Sequence, residues 1–531
     1  MTSGERGRTR PRDAVVIGAG PNGLVAANLL ADAGWDVLLL EAQSEVGGAV
    51  KSAEDVAPGF VHDTFSSFYP MAAVSPVIKQ LQLERHGLRW RHAPAVLGHP
   101  MPDGRWAMLY ADVERTAIEL EATHPGDGDA WRQFCAEWRR IGPALTQALL
   151  TPFPPIRHGL QVLAKLPSVG GLQYVRTLLE PVTTMGSTRF GGEAARLLLA
   201  GNAMHSDIPL SAPGSGTLGL LLTMIGQTHG FPVPEGGAGQ LSRALAARLT
   251  SKGGRIQCDT RVEKVLVEHR RAIGVVTAGG ERIMARAVVA DVLAPQLFGG
   301  LVSWEDLPAR TRTAISRFEL DPGTIKVDWA LSGPVPWTNA PVSAPGTVHI
   351  SDSVDQLSEA QAAITHHQIP AKPFLLVGQM TSTDPTRSLA GTEALWGYTH
   401  VPQQVNGDQG GDGLTGRWDQ SETERMADRM QQRIEDYAPG FATRIVARRV
   451  LGPHELEARN QNLVQGALGG GTASLHQQLI LRPVPGLGRA ETPIRGLYLG
   501  SASAHPGGAV HGACGANAAR ALLAAARWGR I

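Results

Sequence analysis

Near the start of the chain, Gly18, Gly20 and Gly23 stand in the spacing G-x-G-x-x-G within DAVVIGAGPNGLVAANLLADAGWDVLLLE, residues 13–41. That spacing suits the diphosphate of a dinucleotide. Gly18 permits a tight bend out of a strand, Gly20 lets the backbone approach a pyrophosphate, and Gly23 lets the next helix pack close to that strand. Ala19, Pro21 and Asn22 complete the turn. The helix N-terminus then faces the phosphates with free N–H groups and a positive dipole end. Glu41 follows Gly23 by 18 residues, where a carboxylate binds the hydroxyls of an adenosine ribose and disfavours a 2′-phosphate. NADP is therefore a poor candidate. The elements that must position these groups are legible around them, because residues 13–40 read as strand, glycine turn, helix and strand.

Other segments carry candidate chemistry. Gly47 and Gly48 follow Glu41 in the pattern E-x5-G-G, with Ala42 and Ala49 beside them. GFVHDTFSSFYP, residues 59–70, offers Asp63, Ser66 and Ser67 as hydrogen-bonding groups and Phe65, Phe68 and Tyr69 as cavity-lining rings; ordinary loop packing is the other reading of each. GTIKVDW places Lys326 on an expected strand over 325–331. Partly buried, such a lysine has a lowered pKa and can position water or oxygen or relay a proton; on an edge strand it is only a surface charge. GLYLGSASAHPGGAVHGACGANAARALL, residues 496–523, reads as a strand over 496–499, a small-residue loop over 500–508 and a helix starting at about 510–512. Small side chains at Gly500 and Ser501 let backbone N–H groups approach a ligand. The helix end at Val510, Gly512 and Ala513 can stabilise negative charge by ~0.3–2 kcal/mol. His505 and His511 flank this loop. His366 and His367 have no partner at metal-ligand spacing, so no metal is expected.

The E-x5-G-G pattern resembles the extended fingerprint of FAD enzymes of the glutathione-reductase structural class. The segment 496–523 resembles the terminal FAD motif of phytoene desaturases and amine oxidases. PEGGAGQLSRALAARL and RVEKV resemble the family segment in which a strand residue, here Val262, contacts the adenine end through its backbone. With LERHGLRW at 83–90 and LILRPVPG at 479–486, the likeness covers nearly the full length. It is to phytoene-desaturase-like FAD oxidoreductases, in the branch related to pyridine nucleotide-disulphide oxidoreductase domain proteins. The resemblance implies an α/β fold: a Rossmann-like FAD-binding domain from 12–90, 232–300 and 451–531, and a discontinuous α+β substrate domain from 91–231 and 301–450. FAD is the implied cofactor, and Lys326 would reach flavin N5 through a water. Phe65, Phe68, Tyr69 and His505 would lie at the substrate cavity. The arginine that often follows the paired glycines is Ala49 here, and Cys514 does not match the known site of covalent flavin attachment. The implied activity removes a hydride equivalent from an apolar organic substrate, in the manner of a desaturase or dehydrogenase, with reoxidation by oxygen or a quinone. No second G-x-G-x-x-G unit for a nicotinamide is visible. Amine oxidation, flavin-assisted isomerisation or saturation, and a non-catalytic interaction protein on the same fold stay open.

At 531 residues the chain exceeds one comfortable core. Its 49 basic and 48 acidic side chains nearly cancel, which argues against a nucleic-acid partner. Cys135, Cys258 and Cys514 share no short spacing, so a reducing, cytoplasmic setting is expected. The polar, basic start lacks a cleavage site and reads as no signal peptide. The longest apolar stretch, 217–225, is far short of the ~20 residues of a spanning helix. A helix is expected over 129–150, capped by Asp129, with Trp131, Phe134, Trp138, Ile141, Leu145 and Leu149 on one stripe. Residues 156–166, with Arg157, His158 and Lys165 beside Leu160 and Leu163, read either as a lid or core helix or as a segment resting on a bilayer. Residues 240–250 read as a helix, followed by strands over 255–258, 262–268, 272–277 and 287–290. Further strands are expected over 374–380 and 393–401, and a helix over 421–437 with a Ser421–Glu424 capping box.

Overall fold

The computed structural model describes residues 11–531, so the polar, basic start lies, up to residue 10, outside the described residues, and with it the expectation of no signal peptide. The uninterrupted apolar runs of the first unit form strands covered on both faces, as parallel strands are. Strand Arg12–Ile17 pairs in parallel with Val37–Leu40 on one side and Arg282–Ala290 on the other. Arg255–Gln257 and Leu497–Leu499 extend the parallel pairing, and Arg271–Thr277 and Val262–Glu268 add an antiparallel flank. Alternate side chains serve two cores. Ala14, Val16, Val37 and Leu39 pack under helices Pro21–Asp32, Gly239–Ser251 and Ala513–Arg527, while Val15, Ile17, Leu38 and Leu40 pack with Val262, Val265 and Leu297.

A second seven-stranded sheet draws on residues 95–109 and 323–451. Strand Gly323–Leu331 lies inside it, between Glu393–Val401 and Ile445–Leu451. Ile325, Val327, Trp329 and Leu331 face a core shared with Met426, Met430 and Ile434 of helix Gln420–Glu435. Period-two alternation therefore sends Thr324, Lys326 and Asp328 to the opposite face. Helices Asp127–Leu150, Glu193–Ala203 and Ser215–His229 close the far end around Trp131, Phe134, Leu198 and Met224.

Several helix ends depart from the sequence expectations. The helix expected from Asp129 starts at Asp127 after Gly126, and the Asp127 carboxylate accepts from the Gly191 and Gly192 N–H groups at 2.7 and 2.9 Å. The Ser421–Glu424 box does not form. Asp419 caps the helix by accepting from Glu422 N at 3.0 Å, and Glu424 pairs with Arg448. The terminal helix begins at Ala513 rather than at 510–512. Helix Ile156–Lys165 forms, and none of its residues is buried. Among the described residues no helix is long and apolar enough to cross a membrane.

Candidate functional site

At the phosphate turn each glycine has a steric reason. Gly18 takes φ +93°, a backbone that favours glycine. A Cβ on Gly23 would lie 2.0 Å from the Gly18 carbonyl oxygen, so only glycine lets the helix start this close to the strand. Gly47 and Ala19 sit just behind the turn, tied by Gly47 N donating to Ala19 O at 2.9 Å. Glu41 accepts from Ala19 N at 2.7 Å and from Gln43 N at 2.9 Å, which fixes its carboxylate at the C-terminal end of the second strand.

From this turn a cavity of about 1140 Å³ runs to the second sheet, above the ~300–1,000 Å³ of a drug-sized ligand site. Its dinucleotide end is lined by Gly18, Gly20, Pro21, Asn22, Glu41, Ala42, Gly48, Ala49 and Val262. Ser66, Ser67, Ser501 and Val510 line the middle, and Phe65, Phe68 and Lys326 line the wall toward the second sheet. Most of the residues singled out in the sequence thus meet around one space. The others seat the wall from behind. Gly500 donates to Ala290 O at 2.8 Å, and a Cβ on Gly512 would lie 2.8 Å from Val25. Ala513 N donates to His511 Nδ1 at 3.0 Å, so His511 caps the terminal helix. Cys514 is buried in that helix, where burial pushes its thiol up to about 12.

Three side chains turn away from the cavity. Tyr69 is buried, with its hydroxyl donating to Ser66 O at 2.8 Å and its ring against Trp90; it is absent from the cavity wall. His505 points its Nε2 at Thr151 O, 3.0 Å away, and its ring at Phe153. Asp63 accepts from Ser52 Oγ at 2.7 Å and Ala238 N at 2.8 Å and pairs with Arg387 at 2.8 Å, tying segments together behind the wall. For His505 and Asp63 a partner far along the chain decides the direction, whereas Tyr69 is turned by Ser66, three residues before it, and by Trp90.

Lys326 lies on an interior strand, not an edge. It is 3% exposed, donates to Asp63 O at 2.8 Å and is ion-paired with Asp328, which Arg449 also holds at 2.7 Å. Burial lowers the Lys326 pKa, and the Asp328 charge offsets part of that. Against its own burial, Asp328 is held below the usual carboxylate range by Lys326 and Arg449.

Three participants escaped the sequence reading. Asp291 follows strand Arg282–Ala290 and accepts from Gly23 N at 2.8 Å; burial, with the Glu41 charge behind it, raises its pKa to about 7. Ligands in such sheets bind at the C-terminal strand ends, so a carboxylate one residue past an expected strand was the available signal. The segment 456–463 also lines the cavity, and its Asn462 bonds to Leu293 N and Asp291 O. His205 reaches the wall toward the second sheet and pairs its Nε2 with His349 Nε2 at 3.0 Å. His349 Nδ1 is buried with no partner. An unpaired lone pair is cheaper to bury than an unpaired N–H, so the His349 proton sits on Nε2 and that of His205 on Nδ1.

The residues present fit a flavin dinucleotide. Ser67 Oγ is buried on the wall without a partner, as is Thr347 Oγ1 nearer the second sheet, and each can bond to a ligand there. A dinucleotide turn opening into a cavity floored by a second sheet defines an FAD-dependent oxidoreductase of the α/β class. Residues 22–297 match the Flavin containing amine oxidoreductase family, and the chain belongs to that family. It is 30% identical over 569 residues to pyridine nucleotide-disulfide oxidoreductase domain-containing protein 2 of Mus musculus, covering 98% of this chain and 95% of that protein. It is 24% identical over 550 residues to a limonene dehydrogenase subunit of Castellaniella defragrans, covering 96% and 94%. An oxidoreductase from Methanosarcina mazei shares the fold, with a TM-score of 0.61 at 15% identity over 96% of this chain and 99% of that one.

Proposed function

We propose that the chain removes a hydride equivalent from an apolar organic substrate, as a dehydrogenase or desaturase does. One observation carries this reading: of the cavity's acidic residues, Glu41, Glu263 and Asp291 belong to segments around the dinucleotide turn and Glu457 is engaged by Gln465 N at 2.8 Å, whereas the wall toward the second sheet is built of Phe65, Phe68, Leu222, Phe231, Leu376 and Trp396. A cationic amine would find no uncommitted carboxylate there, because Asp328 is paired with Lys326 and Arg449, so a neutral substrate is favoured over an amine. The full-length likeness to a relative named as part of a limonene dehydrogenase supports the same reading. FAD, when bound, supplies the hydride acceptor, with oxygen or a quinone as the oxidant that restores it.

The protein's own contribution is positioning. The helix N-terminus at Pro21–Asp32 and the Ser67 hydroxyl hold the cofactor, and the aromatic wall excludes water and orients the substrate. Two of the three N–H donors of Lys326 are engaged by Asp63 O and Asp328, which leaves one for a water or ligand in the cavity.

The purified protein should be yellow, and anaerobic addition of cyclic terpenes or related neutral apolar compounds should bleach the flavin band. A colourless protein that cannot be reconstituted with FAD would instead support an interaction protein on this fold. Bleaching by primary amines but by no neutral compound would move the assignment to amine oxidation.

A further inference from the structure

Helix Ile156–Lys165 presents Ile156, Leu160 and Leu163 at 71%, 62% and 61% exposure, spaced four and three residues apart on one face. Helix Leu172–Leu179 adds Leu172 and Leu179 at 85% and 58%. Contiguous exposed apolar surface of this kind marks an interaction site. The charge around it is mostly basic, with Arg176 paired to Glu180 at 3.8 Å. Between Glu137 and Glu180 the chain carries Arg139, Arg140, Arg157, Lys165 and Arg176, all exposed, and no acidic residue. Across the whole chain the charges nearly cancel, at +1, so this local excess is not general basicity.

We infer that these two helices form a docking surface for an anionic lipid bilayer. Apolar side chains would enter the headgroup boundary while the basic residues meet lipid phosphates and carboxylates. A second copy of the chain is the poorer occupant, because a two-fold contact would set this cationic patch against itself. The surface also leads toward the cavity. Leu179 O accepts from Gly214 N at 2.9 Å, and Leu475, 51% exposed, lies over Gly214. In the same loop Leu468 is both exposed and part of the cavity wall. Leu475 and Leu468 thus place exposed apolar side chains between this surface and the cavity, on the side from which an apolar substrate dissolved in the bilayer would enter; this second step rests on the proposed function, and the docking does not.

The test is flotation of the full-length flavoprotein with vesicles of phosphatidylcholine alone and of phosphatidylcholine with phosphatidylserine, read by protein stain. The wild type should float with the anionic vesicles and be released by high salt. The double variant Leu160→Glu, Leu163→Glu changes two side chains that are not buried, so its melting temperature and flavin spectrum should hold while flotation falls roughly tenfold or more. Wild type that stays with the pellet in both vesicle types overturns the docking, as does a variant that floats equally well. Sedimentation velocity showing a dimer that the variant dissociates, without vesicle binding, assigns the patch to a subunit interface and also overturns it. Because flotation needs no turnover, failure of the bleaching test leaves this result readable.

Discussion

Lys326→Met keeps the bulk of the side chain and removes its charge. Asp328 then retains only Arg449, and breaking one member of a buried ion cluster costs about 3 kcal/mol, the low end for such pairs. A melting curve should show that loss, and stopped-flow traces should show slower flavin reduction or reoxidation; rates unchanged from wild type would remove Lys326 from the reaction. Asp291 makes a second prediction. Its carboxyl accepts at the same helix end that would receive the phosphates, with a pKa of about 7. As pH rises through 7 it ionises and repels an anionic cofactor, so flavin retention should weaken from pH 6 to 8. Asp291→Asn keeps an acceptor for Gly23 N and should flatten that dependence, measured by flavin released on gel filtration. The sequence made Gly18, Gly23 and Glu41 readable because the groups they serve are neighbours along the chain. It could not direct His505 or Asp63, whose side chains bond to Thr151, Ala238 and Arg387, nor the Tyr69 ring, which packs on Trp90. His205 gave no signal at all, since its partner His349 lies 144 residues away.

The first and last helices meet at the dinucleotide turn, and Gly515 is what allows it. A Cβ there would lie 1.9 Å from the Asn22 carbonyl oxygen, and backbone on a packed helix cannot yield as a flexible side chain does. Gly515→Ala should therefore lower stability by about 3 kcal/mol or more, the upper range for overpacking, and should reduce flavin content in the purified protein. A variant with normal flavin content and melting temperature would show that the two helices are not in this contact. Strands were legible in the sequence where apolar runs continue through both faces, as at Val37–Leu40, or where length and flanking turns bound them, as at Glu393–Val401. Helix ends were less so: Asp127 acts through Gly191 and Gly192, which no local pattern reveals, whereas the Asp419 cap is a local one that the Ser421 reading passed over. The interior position of Lys326 was equally hidden: strand Gly323–Leu331 looks the same in sequence whether or not Ile445–Leu451 pairs beside it.

At the scale of the whole molecule, the three motifs shared with a known family fall on or beside the first sheet, while the second sheet has none. Burial of histidines throughout the chain shows in how the protein should respond to acid. Eight of the 17 histidines, His62, His99, His205, His229, His349, His400, His505 and His511, have lowered pKa values, in each case first through burial. A histidine at about 4 in the fold and 6.5 when unfolded, as for His99 and His511, binds its proton more readily in the unfolded chain between those values. Stability is then lost as pH falls from 6.5 toward 4, by up to about 3 kcal/mol for each such group. Asp291 and Glu393 oppose this. Raised to about 7, they bind protons more tightly in the fold and favour it as pH falls. Asp207, also raised by burial, adds to them, but three carboxyls do not balance eight imidazoles, so urea midpoints should drop between pH 7 and pH 5. His99→Gln should flatten that drop and Asp291→Asn should steepen it. Equal midpoints at the two pH values would mean that these histidines are not held neutral by burial, and the His205–His349 pairing would then need a different protonation.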